Sequence, residues 1–105
     1  MTNTHHVVNW AGIPEEVGGT GVGKRVLAGA GASLVMVRVP AGTVAPRHSH
    51  DHEQFVQVVD GAGVIETEQG ERSFAAGTVF HFPPGAWHAA RFEADTILIE
   101  TNVEK

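Results

Sequence analysis

The sequence predicts a single all-β domain, a sandwich or a small barrel, and three observations predict it. Short runs of β-branched and aromatic residues recur about every 8 to 12 residues. Gly, Pro and Asp clusters separate them. No stretch keeps a helical period over the length of a normal helix. A chain of 105 residues has room for one core, in which roughly two-thirds of the unfolded surface is buried.

The expected strands run in order along the chain. Residues 25–30 (RVLAGA) and 33–39 (SLVMVRV) come first, and PAGT at 40–43 closes the second of them. Residues 47–50 (RHSH) and 54–59 (QFVQVV) come next, and DGAG at 60–63 turns the chain into 63–68 (GVIETE). After QG at 69–70 comes the short run 72–74 (RSF), and AAGT at 75–78 leads into 78–82 (TVFHF). PPGA at 83–86 then delivers 87–92 (WHAARF), and 96–101 (TILIET) ends the series. Residues 1–24, which include Pro14 and a Gly-rich patch, read as an N-terminal arm or lead-in strand to one barrel domain over 25–105. No repeat of fixed period, low-complexity tail or linker interrupts this plan.

Twelve acidic residues against seven basic ones give a formal net charge of -5, which argues against a polyphosphate partner and so against nucleic acid. The N-terminus, MTNTHHVVNW, has neither a basic nor an apolar leader region, and the longest apolar run, 28–37, is broken by glycines and stopped by Arg38. A soluble, cytoplasmic protein without a membrane partner is expected. With no Cys, disulfides, thiolate catalysis and Cys-based zinc sites are excluded, so any metal must use nitrogen and oxygen ligands.

Residues 18–24, GGTGVGK, have the Gly and Lys spacing of a phosphate-binding loop. Arg25, however, stands where Ser or Thr must hold magnesium, and residues 25–30 read as a strand rather than a helix. A Gly-rich turn is the better reading. Ser33, Ser49 and Ser73 lack the context of a catalytic elbow, there is no Tyr, and both lysines, Lys24 and Lys105, fall outside the expected core.

The histidines are different. His48 and His50 lie two apart on an expected strand, so both side chains leave one face. Asp51, His52 and Glu53 form a turn, and Gln54 opens the next strand in phase with Val56 and Val58. Buried imidazoles cost free energy unless they are hydrogen-bonded or coordinated. His88, delivered by PPGAWH, is a further candidate from a later strand.

Two signatures in these segments resemble those of the cupins. Gly42, five residues, His48, one residue, His50, three residues, Gln54, six residues and Gly61 match the first, with Gln54 where the family usually has Glu. Gly77, five residues, Pro83, one residue, Gly85, two residues and His88 match the second, with Phe92 in place of the family's Asn. The resemblance covers 42–92 and implies a double-stranded β-helix, that is, a small jelly-roll barrel.

It also implies that His48, His50, Gln54 and His88 bind one divalent metal ion per chain, manganese or iron first, with nickel, zinc or copper as alternatives. Gln in place of Glu leaves a divalent site formally at +2 rather than +1. Such a site holds its metal less tightly but is the stronger Lewis acid. Gln at this position occurs in known branches, among them cupins that linearise unsaturated uronates and manganese-dependent hydroxynitrile lyases. For His48, His50 and His88 the alternative is a metal-free barrel with hydrogen-bonded rings, and for Gln54 a supporting hydrogen bonder behind three His ligands.

His52 and His81 are the candidates for proton transfer. His52 has the right parity only on an unbroken strand, and the intervening turn favours a rim position. His81 is either a pocket acid or base or a packed core residue. His5 and His6, near the terminus, are given no role. Ala90 and Phe92 share the face of His88, and Arg38, Arg47 and Glu100 are the charged groups placed near the mouth. Two functions remain open. One is a metal-dependent lyase, isomerase or dioxygenase acting on a small oxygenated metabolite. The other is a non-catalytic cupin that binds or senses a sugar or other small molecule. The resemblance and the small size together imply a homodimer.

Overall fold

The computed structural model describes residues 5–104; residues 1–4, at the start of the expected lead-in segment, and Lys105 lie outside the described residues. A 3-10 turn, Trp10–Gly12, precedes β1 (Glu16–Val17), β2 (Gly23–Ala28), β3 (Ala32–Val39), β4 (Val44–His48) and β5 (Glu53–Asp60). Then come β6 (Ala62–Thr67), β7 (Gly70–Ala75), β8 (Val79–Phe82), β9 (His88–Phe92) and β10 (Thr96–Val103). They form two antiparallel sheets, a six-stranded one in the order β1-β2-β3-β10-β5-β8 and a four-stranded one in the order β4-β9-β6-β7.

Period-two alternation decides which side of each strand is buried. In β3, Val35, Val37 and Val39 are buried between more exposed neighbours, and in β5 Gln54, Val56 and Val58 repeat the pattern. These side chains meet Ile65, Phe74 and Phe92 of the other sheet, so the core lies between the sheets. Each such apolar side chain contributes roughly 1.5–3 kcal/mol on burial. The register arranges the inner face of the six-stranded sheet in rows: Lys24, Val37, Leu98 and Val58; then Val26, Val35, Glu100, Val56 and Phe80; then Ala28, Ser33, Asn102, Gln54 and Phe82.

The GGTGVGK segment is the β1–β2 hairpin. Gly21, at φ 84, donates its N–H to the Gly18 carbonyl at 3.0 Å, and the Gly18 N–H donates to the Val22 carbonyl at 3.0 Å. The segment before it is tied down as well: Arg25 donates to the carbonyls of Trp10 and Ile13, and Arg38 forms a two-pronged pair with Glu15 at 3.0 Å.

The strand expected at 47–50 is displaced. β4 begins at Val44 and ends at His48, leaving His50 beyond its end. The reason is a register shift between Ala45 and His48, which pair with Ala90 and His88: three steps along β4 match two along β9. Such a bulge inserts one residue and resets the alternation. Ala45 and His48 therefore both line the space between the sheets although three positions separate them. Among the described residues no helix is long and apolar enough to cross a membrane.

Candidate metal centre

The bulge delivers His48 opposite His88 on β9, and the loop after β4 brings in His50. That loop is pinned by the PPGA turn, where the N–H of Gly85 donates to the His50 carbonyl at 2.8 Å. Gly85 sits at φ 83, a conformation that favours glycine. One backbone hydrogen bond thus joins the two halves of the cluster.

The ligand-capable ring nitrogens of His48, His50 and His88 all lie within 4.8 Å of one another, close enough to face a single ion. Ring centroids are 4.2 Å apart for His48 and His88, 5.1 Å for His48 and His50, and 5.5 Å for His50 and His88. Two rings are oriented by the backbone: Nδ1–H of His48 donates to the Pro46 carbonyl at 2.8 Å, and Nδ1–H of His88 to the Ala86 carbonyl at 3.3 Å. This tautomer leaves Nε2 as the lone-pair nitrogen of each ring, the arrangement a metal-binding His requires. His88 also stacks on Phe82 at 3.8 Å with the ring planes 2° apart. Burial, and then the neighbouring His48, push His88 down to about 4, and His50 is lowered by burial first and then by His48, His52 and Lys24. Both shifts favour the neutral ring that a metal ligand must present.

Gln54 is 4% exposed and lines the same cavity as the three histidines. Its Nε2 donates to Asn102 Oδ1 at 2.9 Å, which leaves Oε1 as the ligand-capable atom of the amide. Asn102 Oδ1 also accepts from His52 Nε2 at 3.0 Å. His52 stacks on His50 with centroids 5.0 Å apart and sits beside the cluster rather than among the residues lining the cavity.

His81 is set apart from the cluster. Within β8 it alternates with Phe80 and Phe82, which line the cavity, so it lies on the outer face, bonded to Glu53 at 2.7 Å and stacked on Phe55 at 4.7 Å. Arg38 is held by Glu15, and Arg47 lies 3.7 Å over the Trp87 ring, so neither guanidinium lines the cavity. Of the charged groups placed near the mouth from the sequence, Glu100 alone lines it. Burial raises its pKa, against the pull of Lys24, His48 and His52. Lys24 is exposed and outside the core, as expected from the sequence, yet it lines the cavity too. The cavity has a volume of about 220 Å³, and its walls are otherwise largely apolar, with Ala90 and Phe92 beside His88.

Two facing antiparallel sheets with three histidines gathered between them define a class of β proteins able to hold a metal. The cupin domain family matches residues 35–102, and the chain belongs to it. No curated protein matches. Among solved structures, an RmlC-like cupin from Shewanella frigidimarina superposes with a TM-score of 0.90 at 24% identity, over 100% of this chain and 96% of its own. KdgF from a Halomonas species gives 0.79 at 26% identity, over 88% of each chain. Ectoine synthase from P. lautus gives 0.83 at 19% identity, over 94% of this chain and 78% of its own.

Proposed function

We propose that His48, His50 and His88, with Oε1 of Gln54, hold one divalent metal ion, and that the protein is a metal-dependent enzyme acting on a small oxygenated metabolite. Manganese or iron suits this mixed imidazole and amide-oxygen set, with nickel, zinc or copper as alternatives. The single observation that carries the reading is the convergence of three imidazoles, two of them oriented by the backbone, on one wall of a cavity. When bound, the ion polarises a substrate oxygen, chemistry that serves lyases, isomerases and dioxygenases.

The protein's own residues do the rest. Apolar walls from Val37, Ile65, Phe80 and Phe92 exclude water, while Glu100 would accept a proton within the cavity. His52 remains at the edge of the cluster, fixed through its Nε2–H. In this reading the two sheets are the walls of a jelly-roll barrel, with residues 1–24 as its lead-in and 25–105 as the domain. A second copy covers the outer face of the six-stranded sheet in a homodimer, where Leu34, Phe55 and Val79 are 36%, 38% and 62% exposed. The cytoplasm is its compartment.

Elemental analysis of protein purified without chelator or nickel affinity resin tests the reading. About one equivalent of metal per chain, lost in His50→Ala, is expected. A protein that holds no metal and takes up none on reconstitution would instead be a metal-free binding module.

A further inference from the structure

Glu100 is a half-buried carboxyl that faces the cavity without a protein partner. It stands on β10 between Val35 and Val56 in register, lines the cavity, and among the described residues makes no hydrogen bond and no ion pair within 4.0 Å. Partial burial weakens its hydration and raises its pKa, and a bound ligand can supply the hydrogen bond that the protein does not. Lys24 lies one row further out, on the β2 side that the four-stranded sheet leaves open. It is the only Lys or Arg among the residues lining the cavity, and its ammonium makes no ion pair among the described residues.

Lys24 and Val22 also line a groove of about 530 Å³ under the β1–β2 hairpin, so Lys24 stands at the neck between cavity and groove. Glu16, opposite Lys24 in register on β1, also lines the groove but makes no ion pair with it within 4.0 Å, so the ammonium is left for an anionic ligand.

We propose that Lys24 and Glu100 recognise a small hydroxy acid, Lys24 binding its carboxylate and Glu100 accepting from a hydroxyl, while another ligand oxygen faces the histidines. The proposal rests on the metal-centre reading for the third contact alone. The row order supports the arrangement: Lys24, then Glu100, then Gln54 and Asn102 beside the cluster. Successive rows on one face lie about 7 Å apart, and Lys24 shortens the first step because its side chain is long and flexible. The cavity equals about seven water volumes. Space and spacing together suit an acid of about four carbons. The charge of Lys24 also acts on Glu100, which agrees with the two groups facing one space.

Calorimetric titration of threonate, threitol and butyrate into metal-free and zinc-loaded protein tests the assignment. Threitol lacks the carboxylate and butyrate the hydroxyls, and each should bind at least about tenfold more weakly than threonate. Lys24→Met should reduce threonate to the level of threitol while Lys24→Arg retains it, and Glu100→Leu should reduce it to the level of butyrate. Equal binding of threonate and threitol, or a Lys24→Met protein that binds threonate as before, would overturn the proposal. Zinc content is read on the same samples. A protein that takes up no zinc removes the metal reading, yet threonate binding by the metal-free protein that depends on Lys24 still supports the recognition pair. A zinc-loaded protein indifferent to both substitutions overturns the pair and leaves the metal centre standing.

Discussion

Gln54 donates from Nε2 to Oδ1 of Asn102 at 2.9 Å, so the orientation of one buried amide is dictated by another. Turning Gln54 over would set its oxygen against the Asn102 oxygen. Asn102 thereby aims Oε1 of Gln54 without reaching the cluster itself. Asn102→Ala removes the acceptor shared by Gln54 and His52. Metal affinity, measured by competition with a chelator, should fall about 10- to 100-fold. A buried donor left unpaired should also cost about 1–3 kcal/mol in urea unfolding. Unchanged affinity would mean that Gln54 takes no part in holding the metal.

The Gln54→Glu protein tests the same position from the opposite side. A carboxylate adds a negative charge next to the ion, and Asn102 must then present its NH2 instead of its oxygen. Metal should be held about tenfold more tightly or better. The same titration reports it, and an affinity equal to that of the parent protein would place residue 54 outside the ligand set.

Much of this arrangement was legible in the sequence because strand alternation is a local property. Gln54, Val56 and Val58 share a buried face, and PPGAWH does deliver His88 beside His48. The route of His48 and His50 was not legible. Their spacing of two suggests one continuous strand, whereas the bulge after Ala45 turns His48 inward and leaves His50 in the following loop. A bulge depends on the partner strand, and so has no reliable local signal. Lys24 and Asn102 were missed for a related reason: each gains its meaning only from the register with β3, β10 and β5. For His81 the signal was present, since its neighbours Phe80 and Phe82 claim the inner face of a four-residue strand.

Protonation of His88 should be visible in the stability of the metal-free protein. Its pKa lies near 4 in the folded protein against 6.5 ordinarily. Between those values the unfolded chain binds a proton that the folded one does not, so stability falls as pH drops from 6.5 towards 4, by at most about 3 kcal/mol. The lowered pKa of His50 adds in the same direction. Glu100 opposes it, because its raised pKa gives stability at low pH that is lost as pH rises. The difference between wild type and His88→Asn isolates the histidine: urea midpoints of the variant should depend less on pH across this window. Parallel pH profiles would contradict a neutral, buried His88.

Gly61 closes the β5–β6 turn at φ 114, and a Cβ there would stand 2.2 Å from Oγ1 and 2.7 Å from Cβ of Thr96. Thr96 is 1% exposed and cannot move aside freely. Gly61→Ala should therefore cost about 2–4 kcal/mol by urea unfolding, from strain and overpacking together. Metal stoichiometry of the folded fraction should be unchanged. A loss under about 0.5 kcal/mol, the range of a neutral surface change, would show that the turn relaxes instead.

The imidazoles of the cluster hang from β4, the loop after it and β9, whereas Lys24 and Glu100 hang from β2 and β10. Inheritance can therefore treat the two groups separately. A lineage can exchange residues 24 and 100, and with them the molecules it accepts, while passing on the same three rings. New specificities are then reached by single substitutions on a scaffold whose costliest feature, a correctly assembled trio of histidines, never has to be rediscovered.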